Sequence, residues 1–119
     1  MINLDSHILI LALIGDLTTR EKRLLSHNTW SISSVVLWEI ARWQQRGRIE
    51  LDLTDRELRE VFAPVHVWPL DLETALVSTR LDFKGDPVDH IVAATSVVNE
   101  VPLLTRDKAI LTSKLVPLA

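Results

Sequence analysis

The sequence contains no cysteine, so disulfides, thiolate metal sites and cysteine nucleophiles are all excluded. Only three glycines are present, and neither a glycine-rich phosphate loop nor a serine nucleophile elbow can be found. Hydrolase triads and nucleotide-binding loops are set aside on that ground. The apolar run Ile8–Ile14 is far short of the ~20 residues that span a bilayer. Asp5 precedes that run and no basic residue does, which does not fit a secretion signal. His7, His27, His66 and His90 show no metal-ligand spacing, and repeats, low-complexity tracts and linkers are lacking. These absences suit a soluble protein of the cytoplasm with no membrane segment.

What is present is a chain of 119 residues, 47% of them hydrophobic. That length suits one domain over residues 1–119. A domain of this size buries roughly two-thirds of its unfolded surface, enough for a core of its own. Mean hydropathy of +0.18 excludes intrinsic disorder. The net charge of −3 is unlike a generic nucleic-acid binder, which is normally basic. Setting Asp5, Glu39, Asp86, Asp89 and Asp107 aside, 11 of the 16 acids remain against 13 bases. The remainder is mildly basic. Ala41–Arg48 carries three arginines and no acid, and Arg20–Arg23 places two arginines and a lysine around one glutamate. Either cluster can hold phosphates or form an ordinary solvated helix face.

Short apolar runs alternate with helical patterns. Ile2–Leu4, Thr29–Ile32, Val65–Val67 and Val101–Leu104 read as strands, with Leu115–Val116 as a last edge strand. Helices are expected from Asp5 or Ser6 to Ile14, from a Thr18 or Thr19 cap to Ser26, and from a Ser33 or Ser34 cap to Arg46. Others should run from a Thr54 cap to Pro64, over Leu72–Leu81, and over Arg106–Thr112. Asp86-Pro87 is a strong start signal for a helix reaching Asn99, with Asp as the cap and Pro in the first turn. The alternation predicts an α/β fold: a three-layer α/β/α sandwich around a mostly parallel, five-stranded sheet. Ligands of such sheets gather beyond the carboxyl ends of the strands. Asp5, Asp89 and Asp107 map to that rim, and Glu39 lies in the second turn of its helix among apolar neighbours.

Carboxylates that crowd together repel, and one pKa of the group rises unless a cation neutralises it. Magnesium meets such oxygens with few carboxylates and several retained waters. Acids without thiolates or a histidine pattern favour magnesium or manganese over zinc. Each acid also has an ordinary role open to it. Asp5, Asp86 and Asp107 can cap the helices that follow, Asp89 suits a first helical turn, and Glu39 can face solvent beside Arg42. Trp30, Trp38, Trp43 and Trp68 can stack on bases or pack in a core or interface. His90 can line the acidic site or lie on the surface.

Four stretches in order, Ile2–His7, Ser33–Ile40, Asp86–Ser96 and Leu103–Asp107, resemble the successive motifs of PIN-domain proteins over the whole length of the chain. The resemblance is to VapC-like toxins of type II toxin–antitoxin pairs in particular. It implies magnesium- or manganese-dependent endoribonuclease activity, with Asp5, Glu39, Asp89 and Asp107 as the metal-binding and catalytic acids. Asp86, Thr105 and Ser6 would support them, Ser6 standing where many relatives have threonine. It further implies an RNA substrate, with tRNA one candidate, a homodimer, and a cognate antitoxin that covers the acids. Two rivals stand beside it. One is a non-catalytic PIN-like module acting through protein partners. The other is a phosphoacceptor domain, which expects paired acids after the first strand where this chain has only Asp5.

Overall fold

The computed structural model describes residues Met1–Ala119. β1 (Ile2–Leu4) leads into α1 (Ser6–Ile14), followed by α2 (Thr19–Ser26), β2 (Trp30–Ser33), α3 (Ser34–Gln45) and α4 (Arg56–Phe62). β3 (His66–Trp68), α5 (Leu72–Ser78), α6 (Pro87–Asn99), β4 (Leu103–Leu104) and α7 (Lys108–Leu111) complete the chain. The sheet order is β3-β2-β1-β4, and every pairing is parallel. The expected α/β architecture, a parallel sheet flanked by helices, is present. No helix is long and apolar enough to cross a membrane.

The chain steps from β1 to β2 to β3 in one direction, then returns to place β4 on the other side of β1. That reversal opens a crevice at the carboxyl ends of β1 and β4, the general ligand position of open parallel sheets. Register brings the two ends level. Leu4 pairs with Leu104, and the Asp5 N–H donates to the Leu104 carbonyl at 3.1 Å.

The helix starts are set by side chains. Thr18 and Glu21 form a reciprocal capping box on α2, and Ser33, Asp71 and Asp86 cap α3, α5 and α6. Helix α4 is capped by Asp55 instead of the expected Thr54, because Asp52 takes both the Thr54 N–H and its hydroxyl. Leu4, Ile8, Ile32, Val36, Ile40 and Val92 are fully buried between sheet and helices. Each such side chain contributes about 1.5–3 kcal/mol of transfer free energy.

The fifth strand expected at Leu115–Val116 is corrected by the structure. Both N–H groups there donate to the Ser113 hydroxyl, at 3.1 Å each, and are lost to a ladder. Pro117 has no N–H to offer. The chain rejoins the sheet only at Leu118, through a single parallel bridge to Leu103. Other boundaries shift by a few residues: β3 begins at His66, β4 at Leu103 after Pro102, α5 ends at Ser78, and α7 begins after Asp107.

One buried polar tie crosses the layers. The Asn3 amide donates to the Ser96 hydroxyl at 2.9 Å and accepts from the Ser31 hydroxyl at 3.3 Å, joining β1 to α6 and β2. All three residues are fully buried. Asn3→Ala should therefore lower unfolding free energy by about 1–3 kcal/mol, measured by urea denaturation, since it strips buried hydroxyls of a partner. A loss below about 0.5 kcal/mol, the size of an ordinary surface change, would contradict this role.

Candidate active site

Asp5, directly after β1, is only 3% exposed. One carboxylate oxygen accepts the Ser6 N–H at 2.8 Å and caps α1. The other accepts the Thr105 hydroxyl at 2.7 Å, from the residue directly after β4. The same Thr105 oxygen accepts the Asp107 N–H at 3.0 Å. Thr105 thus fastens two of the expected acids to each other across the β1–β4 crevice. Asp107 caps α7 through Oδ1, which accepts the Ala109 and Ile110 N–H groups at 2.8 and 3.1 Å. Asp86 caps α6 through Oδ1, which accepts the Asp89 N–H at 3.1 Å.

Asp89 and Glu39 are half-buried, and what the Asp86 backbone and the Ser6 hydroxyl donate to their carboxyls does not offset that burial. Burial, followed by repulsion from Asp86, Asp5 and Asp107, pushes the Asp89 pKa up to about 7. Burial likewise raises that of Glu39, aided by repulsion from Asp5 and Asp86. The Ser6 hydroxyl and His7 oppose that rise. The five acids are therefore one electrostatically coupled group, drawn from the ends of β1 and β4 and from α3 and α6.

His7 and Arg106 hold the rim, and neither had a role in the sequence reading. The His7 Nε2 accepts the Arg106 backbone N–H at 3.1 Å. In the neutral ring the proton then sits on Nδ1, 3.6 Å from the Asp5 carboxylate. The Arg106 guanidinium grips Glu21 with two bonds of 2.6 and 2.8 Å. That hydrogen bonding holds the Glu21 pKa down at about 2, so the carboxylate stays charged and the loop before Asp107 stays pinned to α2. Arg106 next to an expected acid was visible in the sequence; its partner 85 positions away was not. His90 belongs elsewhere. Its Nε2 contacts the Phe83 carbonyl at 2.9 Å and its ring stacks on Phe83.

Three observations bear on a cation. The Ser6 hydroxyl is buried beside Glu39 and has no other partner. A side chain at position 85 would bring its Cβ to 3.2 Å from Asp89 Oδ2, so glycine there keeps space open against the carboxylate. No three acids or histidines stand close enough to grip one ion by themselves. A cation held here would therefore keep most of its waters, as magnesium does.

The chain matches the PIN domain family over residues 2–112. A search of curated proteins finds no match. Its fold is similar to one chain of a toxin–antitoxin complex from Klebsiella pneumoniae, with a TM-score of 0.73 and 19% identity over 94% of this chain and 91% of that one. It is similar to a chain of VapBC2 from Rickettsia felis bound to a DNA fragment from their promoter, with a TM-score of 0.73 and 16% identity, covering 100% and 98%. It also resembles a chain of FitAcB from Neisseria gonorrhoeae, with a TM-score of 0.66 and 17% identity, covering 92% and 90%.

The raised Asp89 pKa gives a signed pH dependence. Its folded-state pKa of about 7 exceeds its ordinary 3.8, so folding favours the protonated form. The stability this adds is fully present below pH 3.8 and is lost as pH rises through 7. With divalent ions chelated, the Tm of Asp89→Asn minus that of the wild type should therefore grow between these limits and level off above them. A difference independent of pH would refute the raised pKa.

Proposed function

The chain belongs to the PIN domain family, and from that premise we propose that it is a metal-dependent endoribonuclease acting as the toxin of a toxin–antitoxin pair. One observation carries the reading: a coupled group of carboxylates at the sheet's crevice, two of them with pKa raised by burial and by their neighbours' charge. Such a group is a poor structural device, since it destabilises the fold at neutral pH. It is a good receptor for a divalent cation.

In this reading Asp5 and Asp89 are the principal ligands of magnesium or manganese, directly or through water, and Glu39 and Asp107 complete the site. When bound, the cation supplies charge neutralisation, activation of water and stabilisation of charge on a phosphoryl oxygen. The residues do the remainder. Asp5, locked by the Ser6 N–H and the Thr105 hydroxyl, orients the site. Thr105 holds Asp107 in register with it. Glu39, whose carboxyl binds a proton more readily than an ordinary glutamate, takes the proton of the attacking water. Asp86 and the Ser6 hydroxyl support the surrounding water structure.

The partners of this reading are an RNA, with tRNA one candidate, a cognate antitoxin and a second copy of the chain, all in the cytoplasm. An antitoxin's basic side chain can take the place of the cation among the acids, since arginine pairs well with carboxylates. The similar folds from Klebsiella pneumoniae, Rickettsia felis and Neisseria gonorrhoeae support the pairing, the first being described as a toxin–antitoxin complex. One observation favours a non-catalytic binding module instead, namely that no three acids converge on one point.

The deciding experiment is cleavage of RNA by the purified chain with magnesium or manganese, against the same reaction in chelator. Asp5→Asn, Glu39→Gln, Asp89→Asn and Asp107→Asn should each lower the rate by about 100-fold or more while retaining the fold. Wild-type rates in Asp5→Asn or Asp89→Asn would sink the proposal. Metal binding without any cleavage would favour the binding module.

A further inference from the structure

Next to the acids runs a groove of about 560 Å³, formed where α3 and the loop after it face the start of α6. Glu39 and Asp86 of the acidic group form part of its wall, so the groove is continuous with the site. The opposite chemistry lines the rest. Arg42, Arg46 and Arg48 all border it, and none of them has a carboxylate within ion-pair distance. The wall thus carries three unpaired arginines against two carboxylates, in a chain of net charge −3.

Trp38 and Trp43 border the same groove. Trp38 is 53% exposed, a large apolar area to leave in water. The Arg42 guanidinium lies 4.7 Å from the centre of its ring, which orients the indole and adds charge beside it. A presented aromatic flanked by free arginines is the combination that binds single-stranded nucleic acid, with bases stacking and phosphates meeting the cations.

We propose that this groove is the subsite for the single-stranded RNA flanking the cleaved phosphodiester, with a base against Trp38 and backbone phosphates on Arg46 and Arg48. The assignment rests on the nuclease reading and deepens it. A strand that presents one phosphodiester to Asp5 and Asp89 can continue past Glu39 and Asp86 into the groove, whose wall those two acids share. An acidic protein segment would satisfy the arginines equally well but would have no use for a stacking face. A protein partner is therefore an outcome of the test.

The test uses the full chain carrying Asp89→Asn, with magnesium present, so that binding is read without turnover. The probe is a fluorescein-labelled oligouridylate of about 12 nucleotides, followed by anisotropy over a range of salt concentrations. Adding Trp38→Ala should weaken binding about 5- to 150-fold, and Trp38→Phe should recover most of it. Arg46→Ala with Arg48→Ala should weaken binding and lower the slope of log K against log salt by about 1.4, two contacts of ~0.7 each. A merely structural role would leave that slope alone.

Unchanged affinity and slope in both sets would overturn the subsite, as would an oligouridylate that fails to bind while polyglutamate binds through the same arginines. Wild-type cleavage with groove-independent binding would overturn the subsite and leave the nuclease reading standing. Binding through Trp38 and the arginines, in a chain whose wild type never cleaves, would support the subsite and overturn the nuclease reading alone.

Discussion

Mutual repulsion among carboxylates at the β1–β4 crevice shapes everything near it. Burial, followed by the charges of Asp86, Asp5 and Asp107, makes Asp89 hold its proton up to about pH 7. Glu39 is under the same pressure from burial and from Asp5 and Asp86. Water screens such charges at an open surface, but half-burial removes much of that screening. The fold tolerates the crowding because the rest of the domain supplies the compensating stability. That compensation comes from the apolar core between sheet and helices and from the buried Asn3–Ser31–Ser96 tie.

The crowding is also held in place by bonds too local to relax. Asp5, Asp86 and Asp107 are each helix caps, and a cap cannot swing away without releasing backbone N–H groups, at about 1 kcal/mol or more. Thr105 locks the β1 and β4 ends together through Asp5 and Asp107. Arg106, bonded to Glu21 by its side chain and to His7 by its backbone, fixes the loop between them. These bonds do a second job. They leave Asp89 and Glu39, the two acids with raised pKa, as the groups with most to gain from a cation. The arginines of the adjacent groove extend the same logic to a phosphate chain: acids take the metal, and free cations take the backbone.

Much of this was legible in the sequence, for identifiable reasons. Asp86-Pro87 announced α6, and the alternation of apolar runs with capped helices announced a parallel sheet. The rim position of Asp5 and Asp107 followed from their place just after strands. The capping reading and the site reading of Asp5, Asp86 and Asp107 looked like alternatives in one dimension, yet in three dimensions they coexist. Asp86 and Asp107 cap with one oxygen only, and Asp5 caps with one while the other reaches Thr105. What stayed hidden depended on distant partners or on local competition for N–H groups. The fifth strand failed because the Ser113 hydroxyl captured the Leu115 and Val116 N–H groups, a detail that composition does not carry. The Glu21–Arg106 clamp joins residues with no periodic relation. Ala41–Arg48 read equally as a solvated helix face, and only its position beside Glu39 and Asp86 gives it a direction.

The most direct measurement of the central claim is calorimetric titration of the chain with manganese at pH 6, repeated in buffers of different protonation enthalpy. At that pH Asp89 still holds its proton, so binding should release about one proton. In Asp89→Asn both the affinity and the proton release should fall. Manganese that fails to bind, or that binds Asp89→Asn as tightly as the wild type, would contradict the account.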